Sequence, residues 1–597
     1  MLRRSVTLIR KSIMRIVYYI AIILVFLMRL HLSLTRAFDP DEFAYLHWSY
    51  LLTIGKIPYR DFFYIIFPFY QFFLLPVFLI GQSVATLIAA RLWQLALYII
   101  TALLIYRVSL SFFKKQTGAL LSVLIFISFP MTIDKTIDIR PDMLMVAMVL
   151  LAMLSSRSLF IGLYTGLSLM IHPKIVFALP MFVYLSATSS KKLRIVPVVI
   201  GFLVPFLLFF LYLAHQQALP AAYTSILRDS VVANTGKGHF SPLQALSPFP
   251  LVYVANGGIS LPWLVNTALW ITSGVGLIFL WIRNKRLGIA MVLYFVFGIG
   301  LLFVFPVPFL QYFIPLTAMA SILAGFTLSV IPGLTRNPVP KKHWIPAFAG
   351  MTEKGAGMTE KGAGMTNPII SILIPFLLFI SFFLQYRERV APTASNSEQL
   401  QVLRDVSAIS RPDETFYDMV GSYVFRTDGY FICCHPYGEF IHLLASSLPA
   451  EVPPRGTKEG PDLNLTKSLI RRQTKFLVLD RIGFVFWQTP EPDLSFLLTN
   501  YLPTKYNKIY SLGLTFRCVN GACTQYRLDD KPAANRSTNT FSTIIPETYT
   551  VTIEPSTTTL TIDGNETKNG QTIDLAAGPH RFLVSPTTTL LRVQLDR

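Results

Sequence analysis

Acidic side chains are scarce in the first half of this sequence. Only eight Asp and Glu residues occur up to residue 330, although the 597-residue chain has 32. Charged residues make up 14% of the chain and hydrophobic residues 53%, which leaves too much apolar surface for a soluble fold of this size. The composition therefore predicts a polytopic α-helical membrane protein with about 11 to 13 transmembrane helices.

Several motifs are missing as well. The sequence has no Walker-type glycine loop and no Rossmann fingerprint, so a nucleotide-dependent mechanism has no visible site. It has no His and Cys constellation with zinc spacing, although its Asp clusters could hold a divalent cation through oxygen ligands. The net charge of +20 lies in short basic clusters without interleaved aromatic residues, which excludes a nucleic-acid partner.

Cysteine is rare and is confined to the last third of the chain. Cys518 and Cys523 flank Asn520-Gly521, a hairpin-turn dipeptide. This spacing suits a disulfide if the region faces an oxidising compartment, and two free thiols if it faces a reducing one.

The apolar runs and the basic clusters between them predict the topology. A basic N-terminus precedes the first run and no cleavage signal follows it, so the first helix starts in the cytoplasm. The expected membrane segments lie near residues 16–30, 84–110, 117–133, 141–154, 158–171, 174–188, 195–214, 261–282, 287–306, 308–331 and 368–385. The run 62–80 is expected to be a juxtamembrane or re-entrant helix of the first outer loop. This arrangement suits a bacterial inner membrane with the C-terminal domains in the periplasm.

The domain prediction follows from changes in composition. Residues 1–331 form a transmembrane domain, and 332–367, which contain EKGAGMT twice, resemble a translated genomic repeat in a cytoplasmic loop. A last transmembrane helix occupies 368–386, and 387–530 read as an outer mixed α/β domain. The β-branched alternation of 541–597 predicts a small all-β sandwich similar to PEGA-type surface modules.

Seven of the eight early acidic residues fall in two short stretches. Asp39, Asp41, Glu42 and Asp61 lie between residues 38 and 70, and Asp134, Asp138 and Asp142 lie in IDKTIDIRPD. Ionisable groups near membrane depth usually line a polar cavity or serve a reaction. The alternative is an ordinary polar loop between helices.

The first stretch begins a helix. Asp39-Pro40 suits a helix start, with Asp39 as its cap, and places Asp41 and Tyr45 on one face. A carboxylate beside another acid and partly shielded from water is expected to have a raised pKa, which is useful to a general base.

These stretches carry a resemblance to a known type of enzyme. DEFAYLHWSYLLTIGKIPYRDFF and IDIRPDMLM, with LYTGLSLMIHPKIVFALP at 163–180 and FPVPFLQYFIPLTAMA at 305–320, resemble GT-C glycosyltransferases of the dolichyl-phosphate-mannose protein mannosyltransferase and lipid A aminoarabinose transferase type. The resemblance covers about residues 38–330. The chain lacks the Lys-Pro-Pro string typical of the first loop and reads IPYRDFFYIIFP there, which leaves the donor headgroup open.

The resemblance implies inverting transfer of a sugar from a polyprenyl-phosphate donor to an envelope glycan, lipid or protein on the outer face. Asp41 is the expected general base, with Glu42 as its helper or as a clamp on the acceptor. The expected phosphate contacts are Arg60, Arg140 and Lys174, although Arg140 could instead pair with Asp138 or Asp142. The expected substrate contacts are Tyr45, Asp61, Asp138, Asp142, Gln311 and Tyr312, with ordering of Arg60 and Arg140 as the alternative role of Asp61 and Asp142. His172 is expected to be structural.

A second hypothesis is a lipid-linked sugar translocase or another transporter. Transporters commonly show two similar halves with charges near the midplane. The membrane part of this sequence has no internal repeat, and its acids cluster at one surface. The glycosyltransferase is therefore the favoured interpretation.

Overall fold

The structure is a computed structural model, and it divides into a helical part and a C-terminal part that contains the β-strands. It describes residues 2–188, 195–230, 260–304, 309–334, 368–391, 394–434, 464–479, 489, 491–533, 538–585 and 589–596. The repeat-containing stretch predicted at 332–367 lies almost entirely outside the described residues. The same applies to the basic cluster at 191–194 and to most of the loop at 215–260.

The helices follow the predicted apolar runs closely. They are α1 Leu2–Thr35, α2 Pro40–Thr53, α3 Phe69–Leu74, α4 Val84–Phe113, α5 Gln116–Ile127, α6 Asp142–Leu154, α7 Ser158–Ile171, α8 Leu179–Ala187, α9 Ile195–His215, α10 Leu219–Tyr223, α11 Leu261–Arg283, α12 Lys285–Val304, α13 Ile314–Leu334 and α14 Pro368–Arg389. Short 3₁₀ turns occupy Leu75–Ile80, Pro130–Thr132, Pro173–Ala178 and Leu310–Phe313, and a π turn occupies Thr224–Asp229. Six helical segments in the described residues are long and apolar enough to cross a membrane, and five more are apolar but shorter. The predicted class of polytopic helical membrane protein is confirmed.

Glycine allows two of the membrane helices to approach closely. A Cβ added to Gly162 of α7 would lie 1.9 Å from the Val198 carbonyl oxygen of α9, and one added to Gly201 would lie 2.1 Å from the Leu159 carbonyl oxygen. Small residues at helix contacts let backbones pack directly in lipid, where no hydrophobic force drives association. Helix α7, which contains the first part of the stretch at 163–180, therefore packs backbone to backbone against α9.

The helical part of the segment 62–80 is short in this structure. It comprises α3 and the 3₁₀ turn Leu75–Ile80, so its helical part is 12 residues long. Such a length falls well below the ~20 residues of a typical span. It packs against α2 and α4, as expected for a juxtamembrane element.

An arginine in α1 fixes the loop between α5 and α6. Arg29 is fully buried, and its Nε and Nη2 donate to the Ile127 carbonyl oxygen at 3.0 and 2.6 Å. Its Nη1 donates to Thr136 Oγ1 at 2.8 Å, and the guanidinium stacks on the Tyr98 ring at 4.6 Å. These bonds satisfy carbonyls at the C-terminal end of a helix, where intrahelical donors are absent. The loop that carries Asp138 and Arg140 is thereby held on a rigid support.

The C-terminal part mixes helices and strands. Its helices are α15 Ser397–Ile409, α16 Leu465–Arg471 and α17 Asp493–Asn500. Its strands are β1 Thr415–Tyr417, β2 Thr427–Asp428, β3 Phe476–Val478, β4 Tyr501–Pro503, β5 Ile509–Val519, β6 Ala522–Tyr526, β7 Thr540–Thr543, β8 Glu547–Glu554, β9 Leu560–Ile562, β10 Asn565–Thr567, β11 Gln571–Leu575, β12 Gly578–Val584 and β13 Thr589–Leu595.

One sheet runs through both of the predicted C-terminal units. Its strand order is β11-β8-β13-β5-β3-β1-β2, with β4 and β6 also paired to β5. A second sheet, β10-β9-β12-β7, packs on the first through Phe516, Phe541 and Phe582. The sequence predicts separate units at 387–530 and 541–597, but β13 pairs with β5 over six residues, so the structure joins them. Alternation along one strand predicts the face that is buried and not the strand's partner.

Cys518 and Cys523 are disulfide-bonded across the turn between β5 and β6. In the chain-entropy account, a bridge closing a loop of about six residues stabilises a protein by about 2 kcal/mol. We expect Cys518→Ser/Cys523→Ser to lower the free energy of unfolding of the C-terminal part by about that amount, measured by chemical denaturation in detergent. No change on substitution would mean that the bridge does not restrict the unfolded chain.

Candidate active site

The candidate site begins at the N-terminus of α2. Asp39 caps this helix, since its side chain accepts a hydrogen bond from the Asp41 amide. The Glu42 side chain in turn accepts one from the Asp39 amide. The predicted capping role of Asp39 is confirmed, and Pro40 opens the helix as expected. Asp41 and Tyr45 follow on one face of the helix at the i, i+4 spacing.

Four charged side chains of alternating sign form a chain from α2 into the membrane part. Arg140 bonds Asp41 through Nη1 and Asp142 through Nε, the latter at 3.1 Å. Lys174 Nζ bonds the other oxygen of Asp142. Arg140, Asp142 and Lys174 are buried, whereas the Asp41 side chain is 40% exposed. Asp41 is therefore the accessible end of a buried, charge-balanced row.

The inner end of the row rests on the segment that precedes α13. Lys174 Nζ also donates to the Gln311 carbonyl oxygen at 3.1 Å and lies 5.3 Å from the centre of the Tyr312 ring. His172 Nδ1 accepts from the Lys174 amide at 3.2 Å, which is the structural use expected for this residue. Gln311 Oε1 is buried and has no hydrogen-bond partner among the described residues. Three of the stretches named in the sequence resemblance thus meet at Lys174.

Glu42 is not placed as a helper of Asp41. Its side chain is fully buried and receives Arg91 Nε and Nη2 at 2.9 and 2.7 Å, along with the Ile139 amide at 3.3 Å. Arg91 also donates to the Arg36 and Ala37 carbonyl oxygens. Both Glu42 oxygens are thus occupied by donors that tie α2 to α1 and α4. This geometry argues against the predicted catalytic role of Glu42 and favours a structural one.

We expect Glu42→Gln to destabilise the whole fold. The substitution leaves the buried Arg91 guanidinium without its counter-charge, and breaking a buried pair in this way costs roughly 3–5 kcal/mol. The measurement is the free energy of unfolding in detergent micelles. Glu398→Gln is the matched control, because Glu398 is 57% exposed and its pair with Lys508 is worth at most ~1 kcal/mol. A Glu42→Gln chain with normal stability and no activity would restore the catalytic assignment.

A second group of charged side chains lies outside the row of Asp41, Arg140, Asp142 and Lys174. Arg36 bonds Asp138 and Asp134, Lys135 bonds Asp39 at 2.6 Å, and Arg389 at the end of α14 bonds Asp134. Burial raises the pKa of Asp138 to about 7, against the opposing pull of Arg36. These pairs join the ends of α1 and α14 to the loop between α5 and α6. Asp138 therefore belongs to a structural junction and does not contact Asp41 in this structure.

Arg60 and Asp61 form a separate pair. Arg60 Nε and Nη2 donate to the two Asp61 oxygens at 2.8 and 2.9 Å, and Nη1 donates to the Gln216 carbonyl oxygen at 2.8 Å. No hydrogen bond or ion pair within the described ranges joins them to Arg140 or Lys174. The structure thus brings together the predicted site residues Asp41, Arg140, Asp142 and Lys174, with Gln311 and Tyr312 beside Lys174. It leaves Arg60 and Asp61 outside this row.

The predicted acidic clusters do not form an evident metal site. Each of their carboxylates is paired with an Arg or Lys side chain. In the parts of the chain that the structure describes, a single group of His, Cys, Asp or Glu side chains could share one metal ion, namely His47, Cys433 and Cys434. The sequence interpretation missed this group because its members are nearly 400 positions apart.

Two structurally central arginines were also absent from the predicted set. Arg91 is the only charged residue in the first half of α4, and Arg29 stands alone near the end of α1. A lone charge in a spanning helix is costly unless it has a buried partner. That signal was available in the sequence and would have found both.

Comparisons with known proteins show similarity of fold and nothing finer. No protein-family model and no curated protein matches the chain. Among solved structures it is similar to ArnT from Cupriavidus metallidurans bound to undecaprenyl phosphate, with 12% identity, TM-score 0.49, and coverage of 85% of this chain and 98% of that one. It is also similar to the Archaeoglobus fulgidus oligosaccharyltransferase, with 12% identity, TM-score 0.43, and coverage of 85% and 74%. Arabinosyltransferase EmbB from Mycobacterium smegmatis matches at 10% identity and TM-score 0.32, with coverage of 96% and 64%. All three are GT-C fold glycosyltransferases, the type that the sequence resembles, and at these values the likeness identifies no residue of the site.

Proposed function

We propose that this chain is a membrane glycosyltransferase that moves a sugar from a polyprenyl-phosphate donor to an acceptor hydroxyl or amide of the cell envelope. One observation carries the proposal: the partly exposed Asp41 is held by Arg140, which is itself anchored by the buried Asp142. This arrangement presents a carboxylate and a guanidinium side by side at the end of α2. Those are the two groups that such a transfer needs.

The chemistry assigns one task to each group. Asp41 accepts the proton of the acceptor as its oxygen or nitrogen attacks the anomeric carbon, with inversion. The bond from that carbon to the donor phosphate breaks, and the phosphate leaves with the electron pair. Arg140 has Nη2 without an acceptor in the described residues, so it can donate to a phosphate oxygen while Nε and Nη1 hold their carboxylates.

Lys174 supports this arrangement through its ion pair with Asp142. Its ammonium neutralises Asp142, so that Asp142 can anchor Arg140 without adding net negative charge beside the leaving phosphate. Tyr45 is buried against the Tyr70 and Trp48 rings and lies on the same face of α2 as Asp41. Its ring is suited to a sugar face, and Gln311 can offer its unpaired Oε1 to a sugar hydroxyl.

In this proposal the enzyme resides in a bacterial inner membrane with its C-terminal domains in the periplasm, as the basic clusters predict. Its acceptor is an envelope glycan, lipid or protein. No resident cofactor is assigned to the transfer, because the acidic residues near Asp41 are all paired with cations of the chain.

The test is donor consumption in reconstituted vesicles. Radiolabelled polyprenyl-phosphate sugars are supplied with envelope extract, and free polyprenyl phosphate is separated from the remaining donor. Release of polyprenyl phosphate with label in a new product supports the transferase. Movement of intact labelled lipid between leaflets, without any release, would replace it with the translocase hypothesis.

A further inference from the structure

A compact group of sulfur, nitrogen and oxygen ligands lies where α2 meets the C-terminal part. His47 of α2 is fully buried, and Cys433 and Cys434 are 2% and 4% exposed. The two sulfurs and a ring nitrogen of His47 all lie within 4.8 Å of one another. In this structure the two sulfurs form a disulfide. None of these residues belongs to the row that begins at Asp41.

The histidine is oriented as a metal ligand would be. His47 Nδ1 lies 2.9 Å from the Val424 carbonyl oxygen, which can only accept, so Nδ1 carries a proton. A metal-binding histidine usually donates its second ring N–H to such a carbonyl or to a carboxylate. The other ring nitrogen, Nε2, lies 2.8 Å from Asp428 Oδ1, and one of the two ring nitrogens lies within 4.8 Å of both sulfurs.

His47 and Asp428 share a proton in this structure. Nε2 lies 2.8 Å from Asp428 Oδ1, and the Tyr423 hydroxyl donates to that same oxygen. A ring nitrogen and a carboxylate oxygen both carry lone pairs, so they approach this closely only with a positive species between them. A proton serves while the sulfurs are joined to each other. A metal ion can take the place of that proton when the sulfurs are free.

The surrounding loop is built for close packing around this group. A Cβ on Gly421 would lie 2.7 Å from Cys434 Sγ and 3.1 Å from His47 Cβ, so only glycine fits there. Asp418 accepts from the Val420 and Ser422 amides at 2.9 and 3.0 Å and fixes the turn. The Tyr423 hydroxyl also lies 3.2 Å from Cys433 Sγ. The ligands are therefore held by a rigid frame.

We propose that Cys433, Cys434, His47 and Asp428 bind one Zn²⁺ when the Cys433–Cys434 disulfide is reduced. Two thiolates, one imidazole and one carboxylate make a four-ligand set of the mixed S, N and O kind that suits zinc and not the oxygen-binding Ca²⁺ or Mg²⁺. The set carries a net charge of −1 with the metal. Arg472 lies beside it, since its Nη1 donates to the Asp428 carbonyl oxygen at 2.8 Å, and supplies the balancing charge.

The redox step requires a dithiol reductant. Two electrons and two protons pass from the dithiol to the disulfide, which becomes two thiols, and the reductant leaves as a disulfide. Zinc then displaces both thiol protons and the proton shared by His47 and Asp428. The bound metal ties α2, six residues from Asp41, to the loop that precedes β2 and the residues that follow it. The site thus couples the metal and thiol state of the outer side to the helix that carries the candidate base.

The first measurement uses the full chain with Cys518→Ser/Cys523→Ser, in which Cys433 and Cys434 are the only thiols. The detergent-purified protein, oxidised or reduced with dithiothreitol, is incubated with zinc chloride, desalted without oxygen, and assayed for thiols and for bound zinc by atomic emission. We expect about two thiols and about one zinc per reduced chain, and no zinc in the oxidised chain. Failure of the thiols to appear in the folded protein, or equal zinc in both states, would overturn the proposal.

The second measurement identifies the ligands. Cobalt(II) added to the reduced chain should give a thiolate-to-metal charge-transfer band and the strong visible bands of tetrahedral cobalt. Cys433→Ser/Cys434→Ser should lose the charge-transfer band, and His47→Gln, which keeps an amide donor for Val424, should bind cobalt at least tenfold more weakly. Octahedral cobalt spectra, or wild-type binding in both variants, would reject the site. None of these readouts depends on glycosyl transfer, so the proposed function and this site can fail separately.

Discussion

Replacing Asp41 by Asn is expected to lower the turnover of the donor by about 100-fold or more, with little change in stability. The amide keeps the size of the side chain and can still contact Arg140, but it cannot accept the proton of an attacking acceptor. The Asp41 side chain is 40% exposed, and the buried Arg140 keeps Asp142 as an ion-pair partner after the substitution, so the expected loss of stability is small. Turnover is measured in the vesicle assay with the same donor, at matched protein and lipid.

Asp61→Asn is the matched control for this substitution. Asp61 lies in the same loop region, is 24% exposed, and also pairs with an arginine, but it is outside the row of Asp41, Arg140 and Asp142. We expect it to change turnover by less than about fivefold, the size of one exposed ion pair. Equal losses in both variants would point to a general effect of negative charge in this loop. An Asp41→Asn enzyme with normal turnover would remove Asp41 as the base.

The membrane helices and the candidate base could be predicted from sequence because their signals are local. Runs of apolar residues define α4, α6, α7, α9 and α11 to within a few residues. The Asp39-Pro40 start and the spacing of Asp41 and Tyr45 depend on a single helix turn. Short-range rules of capping and periodicity are enough for such features.

The pairing of Arg140 with Asp142 is among the alternatives that the sequence offers, but the long-range partners of the charges could not be predicted in the same way. Glu42 pairs with Arg91, 49 positions away, a contact that favours a structural role. Which carboxylate pairs with an arginine depends on how α1, α2 and α4 pack. The spacing of residues along the chain does not contain that information. The pairing of β13 with β5 and the meeting of His47 with Cys433 have the same cause. In each case the residue type indicates that a partner is needed, and the tertiary packing determines which residue that partner is.

The phosphate contact gives the second large prediction, because the sequence left it open among Arg60, Arg140 and Lys174. Arg140 divides its guanidinium between Asp142 at Nε and Asp41 at Nη1, and Nη2 remains for a phosphate oxygen. A lysine has one nitrogen and cannot hold this geometry. We therefore expect Arg140→Lys to lower kcat/KM for the donor by about 10²–10³-fold, the usual loss when a donor to the developing charge is removed.

Arg60→Lys separates this assignment from the alternative. Arg60 has both Asp61 oxygens and the Gln216 carbonyl oxygen as acceptors, so its substitution should cost less than about fivefold in kcat/KM. If Arg60→Lys is the more damaging change, the departure of IPYRDFFYIIFP from the usual first-loop string marks a phosphate contact that has moved to Arg60. Asp41 and the donor phosphate would then be held by different parts of the loop, and the row ending at Lys174 would serve only to position Asp41. A loss confined to Arg140→Lys, seen in kcat as well as KM, instead makes the same guanidinium the link between the base and the leaving phosphate.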